Sequence, residues 1–193
     1  MKANFRIDLK VLMAALLISF VAFSCGDDDD PTPPNEVEVI TTLNATFTNT
    51  QDATDVVTAS FRDVDGPGGN DGVTTNPTLS AGATYTLTLE FLNETETPAE
   101  DITEEVAEED DEHQVFVIVA AGVNFTYAYG DQDGGGNPLG LTGTVTTGAA
   151  STGQVEIVLV HEPNKSAMGV SGGDITNAGG EEDIRVAFSV TIQ

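Results

Sequence analysis

Apolar and polar residues alternate along much of the chain after residue 36, with the period of two that is typical of β-strands. The clearest alternation places Tyr85, Leu87, Leu89 and Phe91 on one face of a strand. The run 115–121 is instead continuously apolar, which predicts a strand buried on both sides. About eight segments rich in Val, Ile, Thr and Phe predict strands: residues 37–48, 56–61, 85–91, 115–121, 125–129, 142–147, 155–160 and 184–192.

The connections between these segments are rich in Gly, Asn and Asp, and short strands at this spacing indicate two packed sheets. We therefore predict an all-β fold, an Ig-like two-sheet β-sandwich that forms a single domain over residues 36–193. The first two strands are separated by a polar turn and are expected to pair as a hairpin.

One segment carries a helical signal. Thr97, Pro98 and Glu100 form a capping-box pattern, with Thr97 as the N-cap, Pro98 at the first helical position and Glu100 at the third. Ile102 and Val106 then fall on one face of the helix. Because 11 of the 19 residues from 94 to 112 are acidic, charge repulsion favours a short helix. A solvated acidic loop is the alternative.

The first 25 residues have the layout of a lipoprotein signal peptide. Three basic residues, Lys2, Arg6 and Lys10, precede an apolar run over residues 11–23, and Cys25 follows almost at once. We predict that residues 1–24 are removed and that Cys25 carries the lipid that anchors the protein to the outer membrane. The alternative is a plain secreted protein. An apolar run of 13 residues is too short for a transmembrane helix, which needs about 20.

Residues 25–35 predict an extended tether behind the lipid, because they combine four consecutive aspartates with three prolines. The aspartate run, residues 27–30, resembles the surface-export signal of lipoproteins in the Bacteroidota. That resemblance implies a location on the outside of the cell. A spacer without any address is the alternative.

The predicted mature chain is strongly acidic. Its 31 acidic residues face only Arg62, Lys165 and Arg185, which gives a formal charge of −28. Such a surface repels nucleic acid and anionic lipid and attracts cations or basic partners. Since Cys25 is the only cysteine, no disulfide can stabilise the fold.

Two segments, 61–70 and 129–137, share the order aromatic-x-Asp-x-Asp-Gly followed by glycine and Asn. Alternate aspartates can converge on calcium, so Asp63 with Asp65 and Asp131 with Asp133 are candidate weak calcium sites. Both loops lack the third oxygen ligand and the closing Glu of an EF-hand. Ordinary strand-to-strand turns are therefore the favoured interpretation.

The two histidines are the stronger metal candidates. His113 opens one predicted strand and follows Asp111 and Glu112, whereas His161 closes another strand and precedes Glu162. If these strand ends are neighbours, two imidazoles and nearby carboxylates form a ligand set suited to zinc, copper or iron. The alternative is a pair of unrelated surface histidines, because a separation of 48 residues fixes no geometry.

Four segments together resemble a group of flavobacterial surface lipoproteins: residues 25–34, 91–105, 111–114 and 161–165. Members of this group are labelled "type 1 periplasmic binding fold superfamily" proteins and accompany TonB-dependent outer-membrane receptors. The resemblance implies a role in capturing a nutrient or metal at the cell surface. The label implies a two-lobed α/β architecture, whereas the residue pattern predicts a sandwich.

These observations lead to one functional prediction and two alternatives. The prediction is a surface-exposed lipoprotein that binds a cation or a metal-containing ligand and assists TonB-dependent uptake. The first alternative is a structural or adhesive Ig-like module without a metal. A small hydrolase is the other, but the chain contains no phosphate-binding loop, and nothing nominates a catalytic carboxylate. We therefore predict that the protein is not an enzyme.

Overall fold

Eleven β-strands, one α-helix and two short 3₁₀ helices account for the regular structure in residues 38–66 and 69–193, which are the residues that the computed structural model describes. The predictions for the signal peptide, Cys25 and the acidic tether lie outside these residues. No helix in the described part of the chain has the length and apolar character needed to cross a membrane.

The strands form two sheets. The larger sheet has the order β3-β2-β1-β5-β9-β8, and β6 pairs with the end of β5. Its strands are β1 Thr42–Asn49, β2 Val56–Arg62, β3 Val73–Thr75, β5 Thr84–Asn93, β6 Glu100–Asp101, β8 Phe125–Tyr129 and β9 Thr142–Thr147. The smaller sheet has the order β4-β11-β10-β7 and contains β4 Thr78–Leu79, β7 His113–Val119, β10 Ser151–His161 and β11 Glu181–Ile192. The predicted all-β, two-sheet sandwich is confirmed.

The core lies between the sheets because alternate residues of each strand point inward. In β5 the predicted face of Tyr85, Leu87, Leu89 and Phe91 is fully buried. The predicted hairpin is also confirmed, since β1 and β2 pair in antiparallel register from Thr42–Arg62 to Thr48–Val56.

The strand β7 is buried on both sides at its beginning, as its apolar run predicts. Val115 packs into the core between the sheets, whereas Phe116 packs on the outer face with Val158 and Val160 of β10. Two short 3₁₀ helices, Val170–Gly172 and Ile175–Asn177, belong to the segment that covers this outer face.

The helix α1 covers Ile102–Glu108 and begins four residues later than the capping-box pattern predicts. Its N-cap is Asp101, whose side chain accepts a hydrogen bond from the Thr103 N–H. The predicted start at Pro98 is wrong because Glu100–Asp101 are drawn into the sheet as β6, opposite Asn93 and Leu92. The predicted apolar face is correct, since Ile102 and Val106 are both buried.

Candidate metal site

The two histidines are the last facing pair in a row of inward-facing side chains along β7 and β10. In the antiparallel pairing of β7 with β10, Val119 faces Val155, Val117 faces Ile157 and Val115 faces Leu159. The next cross-strand pair in the same register is His113 opposite His161. Because side chains alternate with a period of two, both imidazoles lie on the same side of the sheet as these core residues.

The imidazole rings stack on each other, with centroids 4.6 Å apart and an interplanar angle of 16°. His113 is fully buried and His161 is only 4% exposed. The Nδ1 of His113 lies 3.1 Å from the carbonyl oxygen of Glu109, the C-cap residue that follows α1. A proton on Nδ1 satisfies this contact and leaves the Nε2 lone pair of a neutral His113 available to a cation.

Glu38 reaches both rings from the segment before β1. Its Oε1 lies 3.1 Å from Nε2 of His113, and its Oε2 lies 3.8 Å from Nδ1 of His161. The Glu38 side chain is almost completely buried, and its Oε2 has no hydrogen-bond partner among the described residues. A carboxylate and two imidazole nitrogens therefore converge at this end of the sandwich.

Asp183 approaches the same place because of a β-bulge. The register of β10 with β11 shifts between Leu159 and Val160, which pair with Ile184 and Glu182, so that Asp183 is the extra residue. A bulge turns a side chain out of the normal alternation, and the Asp183 side chain is fully buried with Oδ2 4.0 Å from His113 Nε2. Burial and the neighbouring Glu38 carboxylate raise the pKa of Asp183 well above its usual range.

A second group of carboxylates lies on the other side of His161. Oε2 of Glu112 is 3.5 Å from Nε2 of His161, and Glu162 places a carboxylate oxygen within 4.8 Å of the donor atoms of both residues. Glu162 has a φ of 50°, the only positive φ of a non-glycine residue in the described part of the chain. Its N–H donates to the Glu112 carbonyl oxygen at 2.6 Å, which fixes the two acidic residues beside each other.

Gly180 permits the close approach of chain segments at this place. A Cβ on Gly180 would lie 2.2 Å from the His161 carbonyl oxygen, and the residue has a φ of 71°. Any other residue at this position would clash with the backbone of the strand that carries His161.

Four of the five predicted metal residues lie in two ligand groups that share His161: His113 in the first group, and Glu112 and Glu162 in the second. Asp111, the fifth, is exposed and belongs to neither ligand group within the described chain. The sequence analysis missed Glu38, Glu109 and Asp183. Glu109 and Glu38 join the two histidines in one group, with all donor atoms within 4.8 Å of one another.

The two Asp-x-Asp-Gly segments are turns in which the aspartates accept backbone hydrogen bonds. Asp131 accepts from the N–H groups of Gly140 and Thr142, at 2.6 and 2.7 Å. Asp133 accepts from the N–H groups of Gly135 and Asn137 and forms an ion pair with Lys165 at 3.0 Å. In the first segment, Asp63 accepts from the Gly66 N–H and Asp65 from the Asn70 N–H.

One further motif has a catalytic association that its structure does not support. Residues 169–173 have the spacing Gly-x-Ser-x-Gly, which in hydrolases places a serine on a sharp turn between a strand and a helix. Here Ser171 is exposed within the 3₁₀ helix Val170–Gly172, between Gly169 and Gly173 at positive φ. The structural context of a nucleophile is therefore absent from this described segment.

Comparison with protein-family models, with curated proteins and with solved structures gives no match for this chain.

Proposed function

We propose that this protein binds a divalent transition-metal ion through His113, His161 and Glu38 at the end of its sandwich. The observation that carries the proposal is the convergence of two stacked, buried imidazoles on one buried carboxylate. Two histidines with a carboxylate form a set of ligands that suits zinc, iron(II) or copper(II), and water can complete the coordination.

The distances at this site agree with shared coordination. Ligand atoms at about 2.0–2.1 Å from a tetrahedral zinc ion are about 3.3 Å apart. The Glu38 oxygens lie 3.1 and 3.8 Å from the nearest nitrogens of His113 and His161, which brackets that separation. Both distances suit one ion, but the stacked rings are nearly parallel, so the imidazoles have to tilt before both in-plane lone pairs point at it.

The polar atoms of the site are poorly satisfied by the protein itself. Both ring nitrogens of His161, both carboxylate oxygens of Asp183 and Oε2 of Glu38 are buried without hydrogen-bond partners among the described residues. Buried polar atoms in folded proteins are nearly always paired, and each exception needs an explanation. A bound cation neutralises the carboxylates and accepts one lone pair from each imidazole, which leaves the second His161 nitrogen as an N–H donor.

The wider function follows from the predicted location. A lipid on Cys25 and a negatively charged domain would hold a metal-capturing site at the outer membrane, where a TonB-dependent receptor would take up the ion or its complex. Support for this part comes from the N-terminal sequence and from the resemblance to surface lipoproteins. The negative charge also raises the local concentration of cations around the site.

Calorimetric titration of the chelator-treated protein with zinc, copper(II), iron(II) and calcium tests the proposal. We expect one transition-metal ion to bind, and the variant His113→Ala/His161→Ala to lose at least about 100-fold in affinity, more than an outer-shell change costs. Asp111→Asn is the matched control, since it removes a nearby charge outside either ligand group. At 100 times its dissociation constant, the ion should stabilise the wild-type protein by about 2.7 kcal/mol.

Two other results would change the conclusion. If the folded wild-type protein binds none of these ions, the metal proposal is wrong and an adhesive or partner-binding module becomes the working hypothesis. If a transition metal binds equally well to the double histidine variant, the site lies elsewhere in the chain.

A further inference from the structure

The His161 ring has two unpartnered nitrogens that face different carboxylates. Its Nδ1 lies 3.8 Å from Oε2 of Glu38, and its Nε2 lies 3.5 Å from Oε2 of Glu112. Neither nitrogen has a hydrogen-bond partner in the described part of the chain, although the residue is 96% buried. One imidazole therefore stands between two separate groups of oxygen donors.

The two groups differ in their access to solvent. On the Nδ1 side, the side chains of Glu38, His113 and Asp183 are at most 5% exposed. On the Nε2 side, the Glu112 side chain is 53% exposed and Glu162 is also exposed. The first group forms an inner position for an ion, and the second forms an outer position at the surface.

From this arrangement we propose that the metal has two alternative positions that share His161, and that the outer position loads the inner one. This inference rests on the proposed function. The outer position consists of Nε2 of His161 with the carboxylates of Glu112 and Glu162. The inner position consists of Nδ1 of His161 with His113 and Glu38.

The chemistry of imidazole makes the two positions exclusive at neutral pH. A neutral imidazole offers one lone pair and carries one N–H. An ion at Nε2 leaves a proton on Nδ1 that can be donated to Glu38, and an ion at Nδ1 leaves a proton on Nε2 that can be donated to Glu112. In each case the carboxylate on the opposite side orients the ring, as carboxylates do for histidine ligands in known metal sites.

Exposure and ligand type give the two positions different tasks. The outer position offers two carboxylates and remains open to water, so a hydrated cation can bind there before it loses its water shell. The inner position offers two nitrogens in a buried setting, where electrostatic interactions are stronger. The left-handed backbone of Glu162 and its hydrogen bond to the Glu112 carbonyl hold the outer carboxylates together before any ion arrives.

The existence of the outer position is tested by calorimetry on the chelator-treated full chain with zinc as the probe. The variant Glu38→Gln/His113→Gln disables the inner position and should still bind one zinc ion, with affinity about 10–100-fold weaker than wild type. Adding Glu112→Gln and Glu162→Gln to this variant should abolish the remaining binding. Circular dichroism and thermal unfolding confirm that each variant is folded.

The loading role is tested by rapid mixing with cobalt(II), whose absorption spectrum reports its ligands. In an otherwise native chain, Glu112→Gln/Glu162→Gln should slow loading by about tenfold. Tenfold is the lower end of the range by which a focused local charge raises the association rate of an oppositely charged ligand. Glutamine keeps an acceptor for the Nε2 proton, so the final spectrum of the inner position should be retained. Glu108→Gln/Asp111→Asn removes the same number of charges from the acidic segment that contains Glu112 and should load at nearly the wild-type rate.

The outcomes separate this inference from the proposed function. If wild-type protein binds no metal, the proposed function fails first. If wild type binds zinc but the folded Glu38→Gln/His113→Gln variant binds none, there is no outer position and the inference is overturned. It is likewise overturned if the Glu112→Gln/Glu162→Gln protein loads as fast as its charge-matched control.

Discussion

Asp133 and Asp183 are both buried aspartates, but their surroundings shift their pKa values in opposite directions. Asp133 accepts hydrogen bonds from the N–H groups of Gly135 and Asn137 and pairs with Lys165. Burial alone would raise the pKa of Asp133, but the hydrogen bonds from Asn137 and Lys165 outweigh it and lower the pKa to about 2. No N–H group of the described residues donates to Asp183, and burial and the adjacent Glu38 carboxyl group raise its pKa.

The difference shows which buried charge serves folding and which is available for binding. A buried carboxylate is stable when the chain supplies a cation and donors, as it does at Asp133. After residue 25 the chain has only three cationic residues besides its histidines, and each pairs elsewhere: Arg62 with Glu94, Lys165 with Asp133, and Arg185 with Glu156 and Glu182. The cluster of Asp183 and Glu38 therefore has to obtain its positive charge from protons or from solution.

The largest expected effect comes from removing the internal cation. We expect Lys165→Met to destabilise the protein by about 3–5 kcal/mol, because it leaves Asp133 buried and unpaired. The contribution of Asp133 has the sign of a lowered pKa, so it is present at neutral pH and is lost as pH falls from its unfolded value toward about 2. Urea unfolding at pH 7 measures the change in the free energy of unfolding.

The double variant Asp133→Asn/Lys165→Met is the control for this prediction. Asparagine retains an acceptor for the N–H groups of Gly135 and Asn137 without the charge, so the double variant should recover a large part of the lost stability. If the single and double variants are equally destabilised, the Lys165 side chain acts through its packing or through its hydrogen bond to the Asp110 carbonyl, not through the ion pair.

A smaller effect of opposite sign is expected at Asp183. The pKa of Asp183 is higher in the folded protein than in the unfolded chain, so its burial costs least at a pH below the unfolded-state pKa. The stability of the metal-free protein is then lost as pH rises through the folded-state pKa and Asp183 ionises. Asp183→Asn should therefore stabilise the metal-free protein at pH 8 by roughly 1–3 kcal/mol, because the amide cannot ionise and so avoids the cost of a buried unpaired charge. Near pH 4 the variant and the wild type should differ little.

Urea unfolding of both chelator-treated proteins at pH 4, 6 and 8 measures this divergence. Asp133→Asn is the matched control, because the same substitution at a paired aspartate should lower stability at pH 8. A constant difference between Asp183→Asn and wild type at all three pH values would contradict the assignment of Asp183 as an unpaired charge.

Local pattern was sufficient to predict most of the fold. Alternation and β-branched residues identified the eight longer strands, and each prediction overlaps an observed strand. The sequence analysis missed the three shortest strands, β3, β4 and β6. A strand of two or three residues is too short to show an alternation of apolar and polar residues. The start of α1 was misplaced because sheet pairing of Glu100–Asp101 overrode the capping-box pattern, which is a local preference only.

The candidate site could be predicted only in part. His113 and His161 continue the period-two spacing of Val115 and Leu159 within their strands, so their inward direction was present in the sequence. Their proximity was not, because it depends on the register of strands that are distant in the chain. Glu38 and Asp183 could not be predicted for a related reason: Glu38 arrives from the segment that precedes β1, and Asp183 faces inward only because of a bulge.

The smallest expected effect is that of calcium on the Asp131–Asp133 turn. Each carboxylate oxygen of Asp131 already accepts a hydrogen bond from a backbone N–H. The Lys165 ammonium group already pairs with Asp133, in the position that a calcium ion would take. Calcium would have to displace both backbone donors and a buried ammonium group, so millimolar calcium should leave the thermal unfolding midpoint unchanged, whereas zinc at the same concentration should raise it. Calcium-dependent stabilisation that disappears in Asp131→Asn would show that this turn binds a cation. The contrast between Asp133, whose charge Lys165 neutralises, and Asp183 at the metal site would then be wrong.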